Sequence, residues 1–182
     1  MKSTTVARNY AEALLLAAEA DGTAAVDGYG RLLDAVAGAI ASDERISVAL
    51  ESPRVSKTAK AALLERALSD MAAPEFVRFL QAVVRRGRQG LIAEIAQEYH
   101  GLVDVKLNRV HAGVTLRDEP DAPLEKQIVD RLSRVIGKDV RAHFRTDPAI
   151  LGGVVVRVGD RIYDGSVRRR LAALRRKMLR GE

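Results

Sequence analysis

The sequence predicts a mainly α fold in two parts: an N-terminal six-helix bundle, then a small α+β domain with a β-hairpin and a terminal helix. Three observations carry this. Apolar residues recur at three-four spacing through the first 108 residues; the period then drops to two from Val110; and a Gly159-Asp160 pair separates two short β-branched or aromatic runs near the end. The expected boundaries are residues 1–108 and 109–182.

Composition narrows the class. Hydrophobic residues make up 47% and charged residues 30%, as in a globular protein, but aromatics are only 4% and Trp is absent. The core must be built from Ala, Leu, Val and Ile. With no cysteine, a disulfide framework and thiolate chemistry are excluded. The opening apolar run, residues 13–18, is too short for a signal peptide and lies between Glu12 and Glu19, and no stretch has the length of a membrane span.

Each helix has its own signals. Ser3, Thr4 or Thr5 can cap the first, Asp21-Gly22 ends it, and Ala7, Tyr10, Ala11, Leu14, Leu15 and Ala18 form its apolar stripe. Thr23 can cap a second, carrying Val26, Tyr29, Leu33, Val36 and Ile40, in which Gly28, Gly30 and Gly38 would admit a close neighbour. A short third helix from about Asp43 stops at Ser52-Pro53. Ser56 caps a fourth, with Leu63, Leu64, Ala67 and Leu68 apolar, and Pro74 opens a fifth, with Phe76, Phe79, Leu80, Val83 and Val84. The sixth carries Ile92, Ile95, Tyr99, Leu102 and Val103.

In the second part, Val110, Ala112, Val114 and Leu116 alternate with polar or small residues as a strand. Pro123 opens a helix with Leu124, Ile128, Leu132, Val135 and Ile136 apolar. Val140, Ala142 and Phe144 mark a second strand, and Gly159 suits the first position of a type II′ hairpin turn. About seventy residues make a thin core, so this part is expected to lean on a partner or to be mobile when isolated.

Charge is unevenly spread. Residues 1–109 hold 14 basic and 14 acidic groups; residues 166–182 hold seven and one, a net of +6, the net charge of the whole chain. Arg168, Arg169, Arg175 and Arg176 recur at a seven-residue interval on the last helix, with Val167, Leu171, Leu174 and Met178 on its apolar face. Such a helix reads either as a solvated basic face or as a docking element; nucleic acid is the weaker reading, because no aromatic interleaves the arginines for base stacking.

Catalytic signals are missing. His100, His111 and His143 have neither metal-ligand spacing nor a neighbouring nucleophile and read as surface histidines. Gly152-Gly153 precedes a strand rather than a helix, so it is a tight backbone entry and not a phosphate loop. Gly137 lacks the second glycine of a nucleotide-clamping loop and reads as a helix C-terminal glycine.

Three segments together resemble a known family. VARNYAEALLLAAEADG from Val6, FVRFLQAVVRRGRQGLIAEIAQEYHGLVDVKLNRVHAGVTL from Phe76, and above all DPAILGGVVVRVGDRIYDGSVRRRLAALRR from Asp147 are similar to the delta subunit of F-type ATP synthase, the oligomycin-sensitivity-conferral protein family. The resemblance spans the whole chain in order. Val83-Val84-Arg85-Arg86 departs from the pattern in being more basic.

That resemblance implies a non-catalytic stator that links the catalytic head to the peripheral stalk and resists rotor torque during ATP synthesis and hydrogen ion transport. It implies a peripheral place on the cytoplasmic face of a bacterial inner membrane, with no cofactor, metal or catalytic residue. Helices one and five would hold the N-terminal helices of the alpha subunits, with Ala7, Tyr10, Ala11, Leu14, Phe76, Phe79 and Val83 as candidates. The C-terminal part would hold the ends of the b subunits, with Arg168, Leu171, Leu174 and Arg175 as candidates. A small RNA-binding protein using the basic helix is the alternative; its binding would weaken steeply with salt, whereas an apolar groove's would not.

Overall fold

A computed structural model describes residues 2–180. The chain divides into two compact units, Met1–Val105 and Lys106–Glu182.

Helices build the first unit: α1 (Lys2–Ala20), α2 (Thr23–Ser42), α3 (Glu44–Glu51), α4 (Lys57–Leu68), α5 (Pro74–Arg85), a 3-10 turn (Gln89–Leu91) and α6 (Ile92–Lys106), the last of which ends just beyond the division. Ser3, Thr4 and Thr5 lie inside α1 rather than capping it, because the helix already runs from Lys2. Nor does Thr23 cap α2: it is the first helical residue, and Gly22 stands at the cap with no side chain to offer. The expected Ser56 cap forms, accepting from the Ala59 N–H at 3.1 Å. Asp43, expected only as the start of the third helix, stands just before it and caps it by accepting from the Arg45 N–H at 2.8 Å; each satisfies a donor that the helix start leaves open.

Regular spacing fixes the bundle core. Ala7, Ala11, Leu14 and Ala18 are wholly buried along one stripe of α1 and meet Tyr29, Leu33, Phe76, Leu80, Val83, Ile95 and Tyr99 from the other helices. Phe76 and Tyr29 stack at a tilt, 5.3 Å between centroids. On α4 the inward residues are Lys60, Ala61, Leu64 and Leu68, while Leu63 and Ala67 face out, since the helix turns its i, i+3, i+4 row from Ala61 inward. Only one glycine of α2 sits beneath a neighbour: a Cβ on Gly30 would come 2.9 Å from the His100 ring, whereas Gly28 and Gly38 face open space. Tyr99 donates its hydroxyl to the Val26 carbonyl at 2.9 Å in the core, and burial raises its pKa. Burial and a hydrogen bond to Asp21 raise that of Tyr29 as well.

Four strands and two helices form the second unit: β1 (Arg109–Leu116), α7 (Ala122–Ile136), β2 (Asp139–Thr146), β3 (Val155–Val158), β4 (Arg161–Asp164) and α8 (Val167–Arg180). The sheet order is β2-β1-β3-β4; β1 and β2 run parallel, joined by the α7 crossover, and the other pairings are antiparallel. Ala112, Val114, Val140 and Val156 are the buried centre, covered by Ile128, Leu132 and Ile136 of α7. Leu124 and Val135 do not join them: they are 40% and 83% exposed, because they lie off the one row of α7 that meets the sheet. Asp121 caps α7 by accepting from the Leu124 N–H, and Gly137 closes it in the left-handed conformation at φ +73°. Gly159 takes φ +56° at the hairpin turn, and Asp160 does not share the positive φ, as a type II′ turn requires.

Candidate docking surfaces

Sequence and resemblance named seven residues on α1 and α5. Five of them, Ala7, Ala11, Leu14, Phe76 and Val83, are fully buried and pack the bundle itself. They point inward by helical spacing: Ala7, Ala11 and Leu14 share one row, and Phe76, Leu80 and Val83 another. That leaves Tyr10 and Phe79, both half-buried, at the surface between the two helices. Their rings meet edge to face at 6.2 Å. Around them, Val6 is half-buried and Ala13 exposed on α1, and Ala82 is exposed on α5. The result is a shallow apolar strip with small side chains along both rims.

The end of α5 borders this strip. Gly87 takes φ +69°; its N–H bonds the Val84 carbonyl at 2.8 Å, and the Arg88 N–H bonds the Val83 carbonyl at 3.0 Å. This pairing is the Schellman cap, which closes a helix by turning the chain back on itself. Arg88 ends with its guanidinium carbon 5.9 Å from the centroid of the Tyr10 ring, within cation–π range.

The second surface is α8. Backbone contacts launch it, and they explain the glycine-rich signature. The Gly165 N–H bonds the Val154 carbonyl and the Val167 N–H bonds the Gly152 carbonyl, both at 2.9 Å. The two segments lie so close that a Cβ on Gly153, at φ +86°, would stand 2.5 Å from the Gly165 carbonyl oxygen. Only glycine fits there. Asp164 then accepts the Ser166 N–H at 2.9 Å; hydrogen bonds from Ser166 hold its carboxyl below the usual carboxylate range. Ser166 in turn accepts from the Arg169 N–H and starts the helix.

Beyond that anchor, α8 presents its side chains to solvent. Leu171 and Leu174 are 53% and 55% exposed, Met178 75%, and Arg168 and Arg175 are exposed too. All four b-subunit candidates are therefore accessible, unlike most of those on α1 and α5. Leu171, Leu174 and Met178 thus form an exposed apolar stripe beside arginines on a single helix, the kind of surface on which a partner can be sought.

The histidines fall into two settings. His100 lies 2.9 Å from the Asp34 carboxylate, linking α6 to α2. His111 and His143 stack on the open face of the sheet, 5.3 Å between centroids. The sequence placed both on polar strand faces, but their proximity arises from the parallel β1–β2 pairing, which local spacing does not reveal. Among the described residues no group of three or more His, Cys, Asp or Glu could hold a metal, and no helix is long and apolar enough to cross a membrane.

The family model for the ATP synthase delta (OSCP) subunit matches residues 6–178. The chain belongs to the ATP synthase delta (OSCP) subunit family. Among its relatives are the ATP synthase subunit delta of Gemmatimonas aurantiaca, 50% identical over 179 residues (98% of this chain, 95% of the relative), and that of Chlorobium luteolum, 34% identical over 178 residues (98% and 97%). A chain in the cryo-EM structure of the Toxoplasma gondii mitochondrial ATP synthase hexamer shares the fold, with a TM-score of 0.58 at 20% identity, covering 95% of this chain and 97% of that one. The match to the delta family model takes in residues of both units.

Proposed function

We propose that this chain is the non-catalytic stator subunit of a proton-translocating F-type ATP synthase. Its first unit grips the N-terminal helices of the alpha subunits at the α1–α5 strip. Its second unit holds the C-terminal ends of the b subunits through α8. It lies peripherally at the cytoplasmic face of a bacterial inner membrane. The observation that carries this reading, beside family membership, is one exposed surface of different character on each unit: a shallow apolar strip around Tyr10 and Phe79, and a basic, leucine-bearing helix.

A tether needs strength at both ends and chemistry at neither. Nanomolar attachment corresponds to roughly 12 kcal/mol. Burying the exposed halves of Val167, Leu171, Leu174 and Met178 would add roughly 1 kcal/mol each, before charge pairing by the arginines. Neither grip has to reach the whole figure alone, because two linked sites raise each other's effective concentration.

Titration of a peptide carrying the alpha subunit's N-terminal segment into the full chain tests the first grip. Saturable binding is expected, and Phe79→Asp should abolish it while leaving the helical content unchanged. Binding that survives Phe79→Asp would move the alpha subunit elsewhere.

A further inference from the structure

A cavity of about 380 Å³ opens at the end of the α1–α5 strip, lined by Val6, Asn9, Tyr10, Ala13, Arg86 and Arg88. Its lining carries two guanidinium groups and no carboxylate. The Tyr10 hydroxyl oxygen is out of reach of solvent, yet it makes no hydrogen bond with any described residue. A buried hydroxyl without a partner is costly and calls for an incoming group. The Schellman cap at Gly87 fixes the backbone from which Arg88 reaches over the Tyr10 ring, so the cationic group is positioned by the fold rather than by chance. Phe79, edge-on to Tyr10, joins the polar cavity to the apolar strip.

We infer that this cavity seats a carboxylate side chain of the docking alpha-subunit helix. The inference rests on the α1–α5 grip proposed above and specifies its chemistry. The occupant is an amphipathic helix whose apolar stripe lies along Phe79 and whose Asp or Glu, at one end of that stripe, enters between the exposed side chains of Arg86 and Arg88, opens the cavity as it does so, and accepts a hydrogen bond from the Tyr10 hydroxyl. An aliphatic side chain there would leave the Tyr10 hydroxyl unpaired, and a basic one would face two like charges. A guanidinium–carboxylate fork supplies directionality that the shallow strip lacks, and so fixes the register of the helix.

Calorimetric titration of the full chain with the alpha-subunit N-terminal peptide tests it. In a parallel peptide set, each Asp or Glu is replaced in turn by its amide. Arg86→Gln with Arg88→Gln should weaken binding by roughly tenfold or more, as loss of charged hydrogen bonds does, and should flatten its salt dependence. Tyr10→Phe, which keeps ring and packing, should weaken binding several-fold while raising the thermal midpoint of the free chain, because it removes a buried hydroxyl that has no partner there. One amide peptide should reproduce the arginine loss and show no further loss against the arginine variant. If the arginine and Tyr10→Phe variants bind the native peptide like the wild type, or if every acidic position contributes equally and additively, the carboxylate seat is overturned while the groove stands. A native peptide that fails to bind the wild-type chain would remove the groove itself, and the seat with it.

Discussion

The two units are stabilised on very different scales. Among the described residues the first unit's core cluster holds twenty-two buried residues, drawn from α1 to α6 and crossed by a buried Tyr99–Val26 hydrogen bond. The second unit's cluster holds four, under a single helix, and its terminal helix leaves its apolar stripe in solvent. The end with a deep core can act as a rigid socket that changes little on binding, whereas the end with a thin core gains part of its order from what it holds. The units also differ in how they expose a surface. On α1 and α5 most of the large apolar residues are spent inside, leaving the half-buried Tyr10 and Phe79 and the exposed Leu16 outside; on α8 almost none are.

Substitutions can break this comparison. Phe76→Ala should have the largest effect, about 3–5 kcal/mol from lost packing and a residual cavity. In a denaturant titration followed by residue-resolved NMR, the first unit should lose that stability while the second unit's midpoint stays put; a common shift would mean that the two unfold as one. Gly153→Ala should come next. It combines a left-handed φ with a clash against the Gly165 carbonyl, and strain of about 2 kcal/mol or more is expected, confined to the second unit. Amide exchange should rise at Val167 and Arg169, whose N–H groups depend on that close approach, and stay low in the bundle.

Tyr99→Phe should be mildest, about 1 kcal/mol at neutral pH from one lost hydrogen bond. Its pH dependence sharpens the contrast. Burial raises the Tyr99 pKa, so in alkali the folded state keeps a proton that the unfolded chain has released. Stability therefore falls as pH rises above the ordinary tyrosine value of about 10, and the wild type's advantage over Tyr99→Phe should shrink there rather than grow. Parallel curves for the two proteins up to pH 11 would contradict the assignment of that hydroxyl to the core.

Local signals were legible in the sequence where a residue acts through its own backbone. Asp43, Ser56, Pro74, Gly137 and Gly159 all mark the ends and turns that their chemistry suits. What spacing could not give was orientation between elements. Thr23 looked like a cap because Thr can cap, but Gly22 occupies that place. Leu63, Ala67, Leu124 and Val135 are apolar yet face out, since an apolar residue is buried only if another element arrives on its side. The helix read between the two strands is the pattern of a crossover, but the register of β1 against β2, and with it the meeting of His111 and His143, is set by tertiary packing that local spacing does not give. Resemblance singled out α1 and α5 but not their outer faces. The Ala7, Ala11, Leu14 row was itself the clue: an unbroken stripe of small and aliphatic residues is what a helix turns toward its own bundle, and Tyr10 stands beside it.

The most direct test of the tether is to cut it. ATP synthase reconstituted in vesicles would receive either the intact chain or the separate pieces, residues 1–105 and 106–182, with proton pumping driven by ATP as the readout. The account predicts coupled pumping with the intact chain, and none with the two pieces together even where each still binds its own partner. Full coupling restored by the unlinked pieces, or by the first unit alone, would contradict it.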